Sequence, residues 1–111
     1  MITRIRSVGI DTSDQDRSVE FFARLGFEKR REEPMSPEAR WIELAPPGRE
    51  TVLVPFRAGI VLECDDLDAT YEELSGQGVE FTVEPTTEEW GRHAILKDPD
   101  GNEYVLVPAG T

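Results

Sequence analysis

Between residues 2 and 10 apolar and polar side chains alternate in the manner of a half-buried strand. Ser13-Asp14-Gln15-Asp16 then offers an N-cap with acids in a first helical turn, and Val19, Phe22 and Leu25, with Ala23 beside them, fall on one helical stripe. Gly26 stands where a helix closes through a left-handed residue, a conformation that penalises any Cβ. Residues 27–31 and 39–45 read as strands on either side of the Pro34-Met35-Ser36-Pro37 loop, and Pro46-Pro47-Gly48 turns the chain into a further strand at 51–54. The predicted order is β-α-β-β-β.

The same order then returns. A strand at 58–64 leads into an Asp65-capped helix with Leu67, Tyr71 and Leu74 on one face and Gly78 near its end, and strands follow at 79–84, 92–97 and 103–107. Asp98-Pro99-Asp100-Gly101-Asn102 is a tight turn between the last two. The halves also match residue by residue. Asp14, Asp16, Glu20, Gly26 and Glu28 recur 52 places later, and Ile42, Pro46, Gly48, Glu50 and Val52 through Pro55 recur 53 places later, thirteen identities in all. Two repeats are too few for a solenoid, so they are expected to pair as modules 1–56 and 57–111 of one domain. The expected fold class is α+β: two tandem βαβββ modules, helices on the outer face, and a concave mixed-sheet cleft left on the other.

Length and composition agree with one small folded domain: 111 residues, with the 38% hydrophobic content spread along the chain. The net charge of −11 argues against nucleic acid or an anionic membrane as partner and favours cationic or neutral ligands. No apolar run approaches the ~20 residues of a membrane span, and Met1-Ile2-Thr3-Arg4 does not open a signal peptide, so a cytoplasmic location is expected. The single Cys64, in the apolar run of residues 60–64, reads as a buried, inert thiol. The Arg30-Arg31-Glu32-Glu33 and Glu72-Glu73 runs read as solvated surface.

Several segments together resemble the vicinal oxygen chelate superfamily, which contains glyoxalase I, extradiol dioxygenases, epimerases and bleomycin-resistance proteins. They are Ser13-Asp14-Gln15-Asp16-Arg17-Ser18 before Phe21-Phe22, Leu25-Gly26-Phe27, Asp65-Asp66-Leu67-Asp68-Ala69, Gln77-Gly78-Val79-Glu80-Phe81, Trp90-Gly91-Arg92 and the Asp98 turn. The resemblance covers nearly the whole chain and specifies architecture more than activity, since one scaffold hosts many reactions. It implies that a metal, where used, is held by His and Glu side chains on the first and last strands of each module. Those positions here are Ser7, Val52, Gly59 and Val105, related in pairs by the repeat offsets. Gly and Val have no donor atom, and one Ser hydroxyl cannot replace a set of imidazoles and carboxylates, so no metal and no cofactor are expected.

Strand alternation with Ile42 and Ile95 on the helix-packed face would turn Trp41 and Glu43, and Arg92, Ala94 and Leu96, into the cleft, and His93 away from it. A Trp wall, a carboxylate and a forked Arg suit a ring-bearing polar ligand. Asp11 and Glu63 share the parity of Ser7 and Gly59 and are expected at the cavity or its rim, and Trp90 either closes over the mouth or anchors its turn. The ligand-binding candidates are thus Ser7, Trp41, Glu43, Val52, Gly59, Glu63, Arg92 and Val105. The expectation is a metal-free small-molecule-binding homodimer, most like the bleomycin-resistance branch, that sequesters a cationic or aromatic ligand. The alternatives are a lyase, isomerase or dioxygenase-like enzyme with Glu43 as general base and Arg92 stabilising an oxyanion, or a dimerisation module in which Trp41 packs an interface and Glu43 pairs with Arg92.

Overall fold

The structure, a computed structural model, describes residues 1–48 and 51–110. Arg49, Glu50 and Thr111 lie outside the described residues, and with them the Glu50 member of the repeat and the end of the expected second module. The described elements are β1 (Ile2–Asp11), α1 (Gln15–Arg24), β2 (Glu28–Pro34), β3 (Arg40–Ala45), β4 (Val52–Phe56), β5 (Gly59–Cys64), α2 (Leu67–Gly76), β6 (Glu80–Glu88), β7 (Gly91–Lys97) and β8 (Glu103–Pro108). This is the α+β class in the expected order, with β2 and β6 each running several residues further than the sequence pattern suggested.

The chain divides into two compact units, Arg6–Gly59 and Met1–Ile5 with Ile60–Thr111. In the first, the strand order is β2-β3-β4-β1, antiparallel except for the parallel β4/β1 pair. In the second it is β6-β7-β8-β5, again antiparallel except for the parallel β8/β5 pair. The chain's opening residues serve the second unit: the Asp65 N–H donates to the Met1 carbonyl (3.3 Å) and the Thr3 hydroxyl to the Glu63 carbonyl (3.2 Å).

Each helix is bounded by the same devices. The Asp14 side chain accepts from the Arg17 N–H (3.1 Å), and Asp66 from the Ala69 N–H (3.0 Å). The second cap therefore sits one residue beyond the expected Asp65, whose carboxylate is occupied by the terminal ammonium of Met1. At the other end Gly26 (φ 94°) and Gly78 (φ 91°) close Schellman turns, in which Phe27 N–H reaches the Phe22 carbonyl and Val79 N–H the Leu74 carbonyl, both at 3.0 Å. Gly9 is required for a different reason, because a Cβ there would overlap the Arg57 carbonyl.

Which face of each sheet a helix covers is fixed by two equivalent ion pairs. Arg40 on β3 reaches Asp16 in the first turn of α1 (2.6 Å), and Arg92 on β7 forks onto Asp68 in the first turn of α2 (2.9 and 3.2 Å). Alternation then puts Arg40, Ile42 and Leu44 on the α1 side, and Arg92, Ala94 and Leu96 on the α2 side. Burial agrees: Ile42 and Leu44 are fully buried, and Ala94 joins Cys64, Leu67 and Leu106 in a core to which Leu62, Phe81 and Leu96 add their weight. The counterpart of Ile42 is therefore Ala94, 52 residues on, and not Ile95. The extra residue of the second copy falls after β7, next to the Asp98 turn, where Asp98 Oδ1 accepts from the Asp100 and Asn102 N–H groups and Oδ2 from Asn102 and the Tyr104 hydroxyl, all at 2.9 Å.

Cys64 is fully buried, with Sγ donating to the Val107 carbonyl at 3.5 Å, and burial raises its thiol pKa. The expected helical stripe on α1 holds only in part. No residue of α1 is fully buried, Leu25 is the C-cap and 58% exposed, and Phe22 packs edge-on to Phe21 and tilted against Phe27. β2 and β6 each carry a proline, a register shift and several charges, which discourage a further strand from adding to them.

Two outcomes follow. Ile42→Ala leaves a cavity in the first unit and lowers unfolding free energy by about 2–5 kcal/mol in a urea titration. Hydrogen bonding from Arg92 holds the Asp68 carboxyl below its ordinary 3.8. The pair therefore stabilises above that pH and is lost as pH falls through the lowered value. In Arg92→Gln, the Asp68 carboxyl resonance should titrate closer to 3.8 by NMR, and an unmoved midpoint would refute the pairing.

Candidate functional site

Each sheet presents a second face, opposite its helix, and most of the expected site residues lie there. In the Arg6–Gly59 unit, Ser7 and Val52 are direct partners in the parallel β1/β4 ladder, followed by Gly9 and Val54. Ser7 is 3% exposed and Val52 half-buried. Trp41 and Glu43 share that face, since their neighbours Arg40, Ile42 and Leu44 turn to α1. The Trp41 indole N–H donates to Glu43 Oε2 at 2.8 Å, and Arg31 Nη1 stands 3.9 Å from the same oxygen. β2 supplies that arginine because it runs antiparallel with Arg31 opposite Glu43 and Glu33 opposite Trp41, and Arg31 also binds Glu33 at 2.9 Å.

The Glu43 carboxylate is thus oriented through one oxygen, beside a flat indole, with 22% of its side chain exposed. A fixed carboxylate next to an aromatic face can accept hydrogen bonds from a ligand, pair a cation, or take a proton. Asp11 does not add to this group: its carboxylate accepts the Ala58 N–H at 2.9 Å and so braces the turn into β5.

In the unit of residues 1–5 and 60–111, Val105 pairs with Val61 and not with Gly59, which lies exposed two residues earlier. The parallel register differs from that of the first unit by two residues, a slip that leaves every side chain on its own face. Val61 thereby takes the corner expected for Gly59 and is equally without a lone pair. Glu63 is 7% exposed and bound by Arg4 through Nε (3.0 Å) and Nη2 (2.9 Å), so its carboxylate is committed.

Two expectations about β7 are corrected. Arg92 belongs to the helix side, with its guanidinium forked onto Asp68, so it neither joins Trp41 and Glu43 in facing away from the helix nor pairs with Glu43. His93 lies on the helix-free face with Ile95, which is the direct partner of Val105. The parity failed because Ile42 was matched to Ile95. The equal spacing of Asp16 to Arg40 and of Asp68 to Arg92 was the signal that fixes the correct offset. Arg31 and Arg4, the partners of the two carboxylates, carried no such signal, since only strand pairing brings them there.

The metal implied by the resemblance finds no fitting donor set. Ser7 with Val52, and Val61 with Val105, offer one hydroxyl between them, and among the described residues no three His, Cys, Asp or Glu side chains gather as a metal site. Among the described residues no helix is long and apolar enough to cross a membrane.

Comparison with known proteins bears on the same architecture. Over 118 residues the chain is 40% identical to the uncharacterized protein YetH of Bacillus subtilis (strain 168), covering 96% of this chain and 98% of that one. A second uncharacterized protein of that organism, YurT, is 32% identical over 125 residues, covering 94% and 98%. Among solved structures, methylmalonyl-CoA epimerase from Mycobacterium tuberculosis superposes with a TM-score of 0.80 over 99% of this chain and 90% of its own, at 22% identity, a likeness of fold alone. Residues 4–106 match the family model described as Glyoxalase/Bleomycin resistance protein/Dioxygenase superfamily, and the chain belongs to that superfamily.

Proposed function

We propose that this protein binds and sequesters a small cationic or aromatic molecule without a metal, acting as a cytoplasmic homodimer. The observation that carries the reading is the Trp41–Glu43 pair: an indole and a carboxylate locked to each other at 2.8 Å on a helix-free sheet face. Trp41 supplies a flat apolar wall and Glu43 a charged acceptor whose second oxygen is left for the guest. The nearby corner of Ser7 and Val52 gives shape and one hydroxyl in place of a Lewis acid. The chain's charge of −11 attracts a cation from a distance, an attraction that salt weakens.

The enzymatic alternative keeps Glu43 as a base but loses Arg92 as the oxyanion partner, because both terminal nitrogens of that guanidinium are engaged by Asp68. With one oxygen tied to an indole and an arginine nearby, Glu43 is better arranged to hold a guest than to shuttle a proton through a paired acid.

Isothermal titration with a cationic glycopeptide and a panel of small organic acids separates these readings. Heat of binding with cations, weakened about tenfold by Glu43→Gln and further by added salt, supports sequestration. No heat with any cation counts against it. Elemental analysis of protein purified without chelator should find no stoichiometric transition metal, and one equivalent of zinc, iron or manganese would overturn the metal-free assignment.

A further inference from the structure

A second feature lies on the helix-free side of the other unit and involves none of the groups used so far. His93 is the chain's single histidine, and its Nδ1 is buried with no hydrogen-bond partner. One other described side-chain atom shares that condition, the Thr70 hydroxyl, which is packed within the α2 core. His93 differs in what covers it. The Trp90 ring lies 4.9 Å from the imidazole, inclined by 36°, and Trp90 itself is 60% exposed at the tip of the β6/β7 hairpin. A buried ring nitrogen without a hydrogen-bond partner loses its water and gains nothing in return, and native folds keep few such groups. Here the deficit sits beneath an aromatic lid that the core does not hold in place.

The charge around this pair is one-sided. Residues 1–5 and 60–111 hold three basic side chains against thirteen acidic ones. All three bases are engaged: Arg4 by Glu63, Arg92 by Asp68 and Lys97 by Glu80. Glu84, Glu88 and Glu89, on the hairpin that carries Trp90, are exposed. A cation is drawn to the hairpin, and its flat face can stack on the indole.

We propose that Trp90 and His93 form a binding site for a planar nitrogenous cation, which lies beside the imidazole under the Trp90 indole and donates an in-plane N–H to His93 Nδ1. With the imidazole proton on Nε2, Nδ1 is the acceptor, and the indole stacks on the guest's outer face. This rests on the reading of the protein as a small-molecule binder and specifies the chemistry of a guest: aromatic, positively charged and bearing N–H donors.

The test uses the full chain labelled with 15N and three probes of similar size: benzamidinium, which is a cation with N–H donors, phenyltrimethylammonium, a cation without them, and benzoate, an anion. Because there is one histidine, its ring nitrogens need no assignment, and Trp41→Phe identifies which indole resonance belongs to Trp90. Benzamidinium should shift both His93 Nδ1 and the Trp90 indole, phenyltrimethylammonium should bind at least fivefold more weakly, and benzoate should shift neither. His93→Phe, which keeps a ring and removes the acceptor, should bring benzamidinium down to the affinity of phenyltrimethylammonium. Trp90→Ala, at an exposed position, should abolish the His93 shift in a chain that stays folded. Equal benzamidinium affinity in wild type and His93→Phe, or benzoate binding as well as benzamidinium, overturns the site. Benzamidinium that perturbs Trp41 and leaves Trp90 and His93 unmoved overturns it too, while leaving the proposed function standing. A chain that also gives no heat with the cationic glycopeptide loses both.

Discussion

Everything in this molecule depends on a helix lying across one face of a four-stranded sheet while the other face is left without one. The strand period of two turns that single packing choice into an address for every side chain: residues facing the helix build the core, and their immediate neighbours become available for chemistry. Arg40 to Asp16 and Arg92 to Asp68 tie strand to helix at the same point of each unit, so the same address system is written twice. These exposed pairs add modest energy. Their value lies in register, because a slip of one residue would exchange Ile42 for Trp41 and put a carboxylate in the core.

Duplication has left the two units alike in fold and unlike in content. The first carries nine basic and ten acidic side chains, the second three and thirteen, so nearly all of the net charge belongs to one of them. Their helix-free faces differ accordingly. One displays an indole clasped to a carboxylate with an arginine in attendance, the other an indole over a histidine among free acids. The parallel pairs also differ by two residues in register, Ser7 with Val52 in one and Val61 with Val105 in the other. The first pair offers one hydroxyl and the second no side-chain donor atom.

The fold was legible because its signals are local and repeated. Capping aspartates, closing glycines and two-residue alternation each act over a few positions, and a second copy confirms what one copy only suggests. The candidate site was legible as far as Trp41 and Glu43, whose parity follows from their buried neighbours Ile42 and Leu44. It failed at β7, where Ile95 and Ala94 are both apolar and composition alone does not say which one meets α2. A small residue wins there because Leu67 and Leu106 already fill that space. The partners of the two carboxylates were invisible for a different reason. Arg4 finds Glu63 across fifty-nine positions of sequence, and no short-range pattern records such an encounter.

That distance matters before the protein is complete. Residues 1–5 belong to the second unit, although they are made before the rest of it. During synthesis their backbone groups lack their partners until residues 60–65 leave the ribosome. A purely apolar segment would invite other nascent chains to dock in that interval. The Thr3-Arg4-Ile5-Arg6 sequence, with a charge at every second position, keeps the waiting segment dissolved and then spends Arg4 on a buried carboxylate once its own unit arrives.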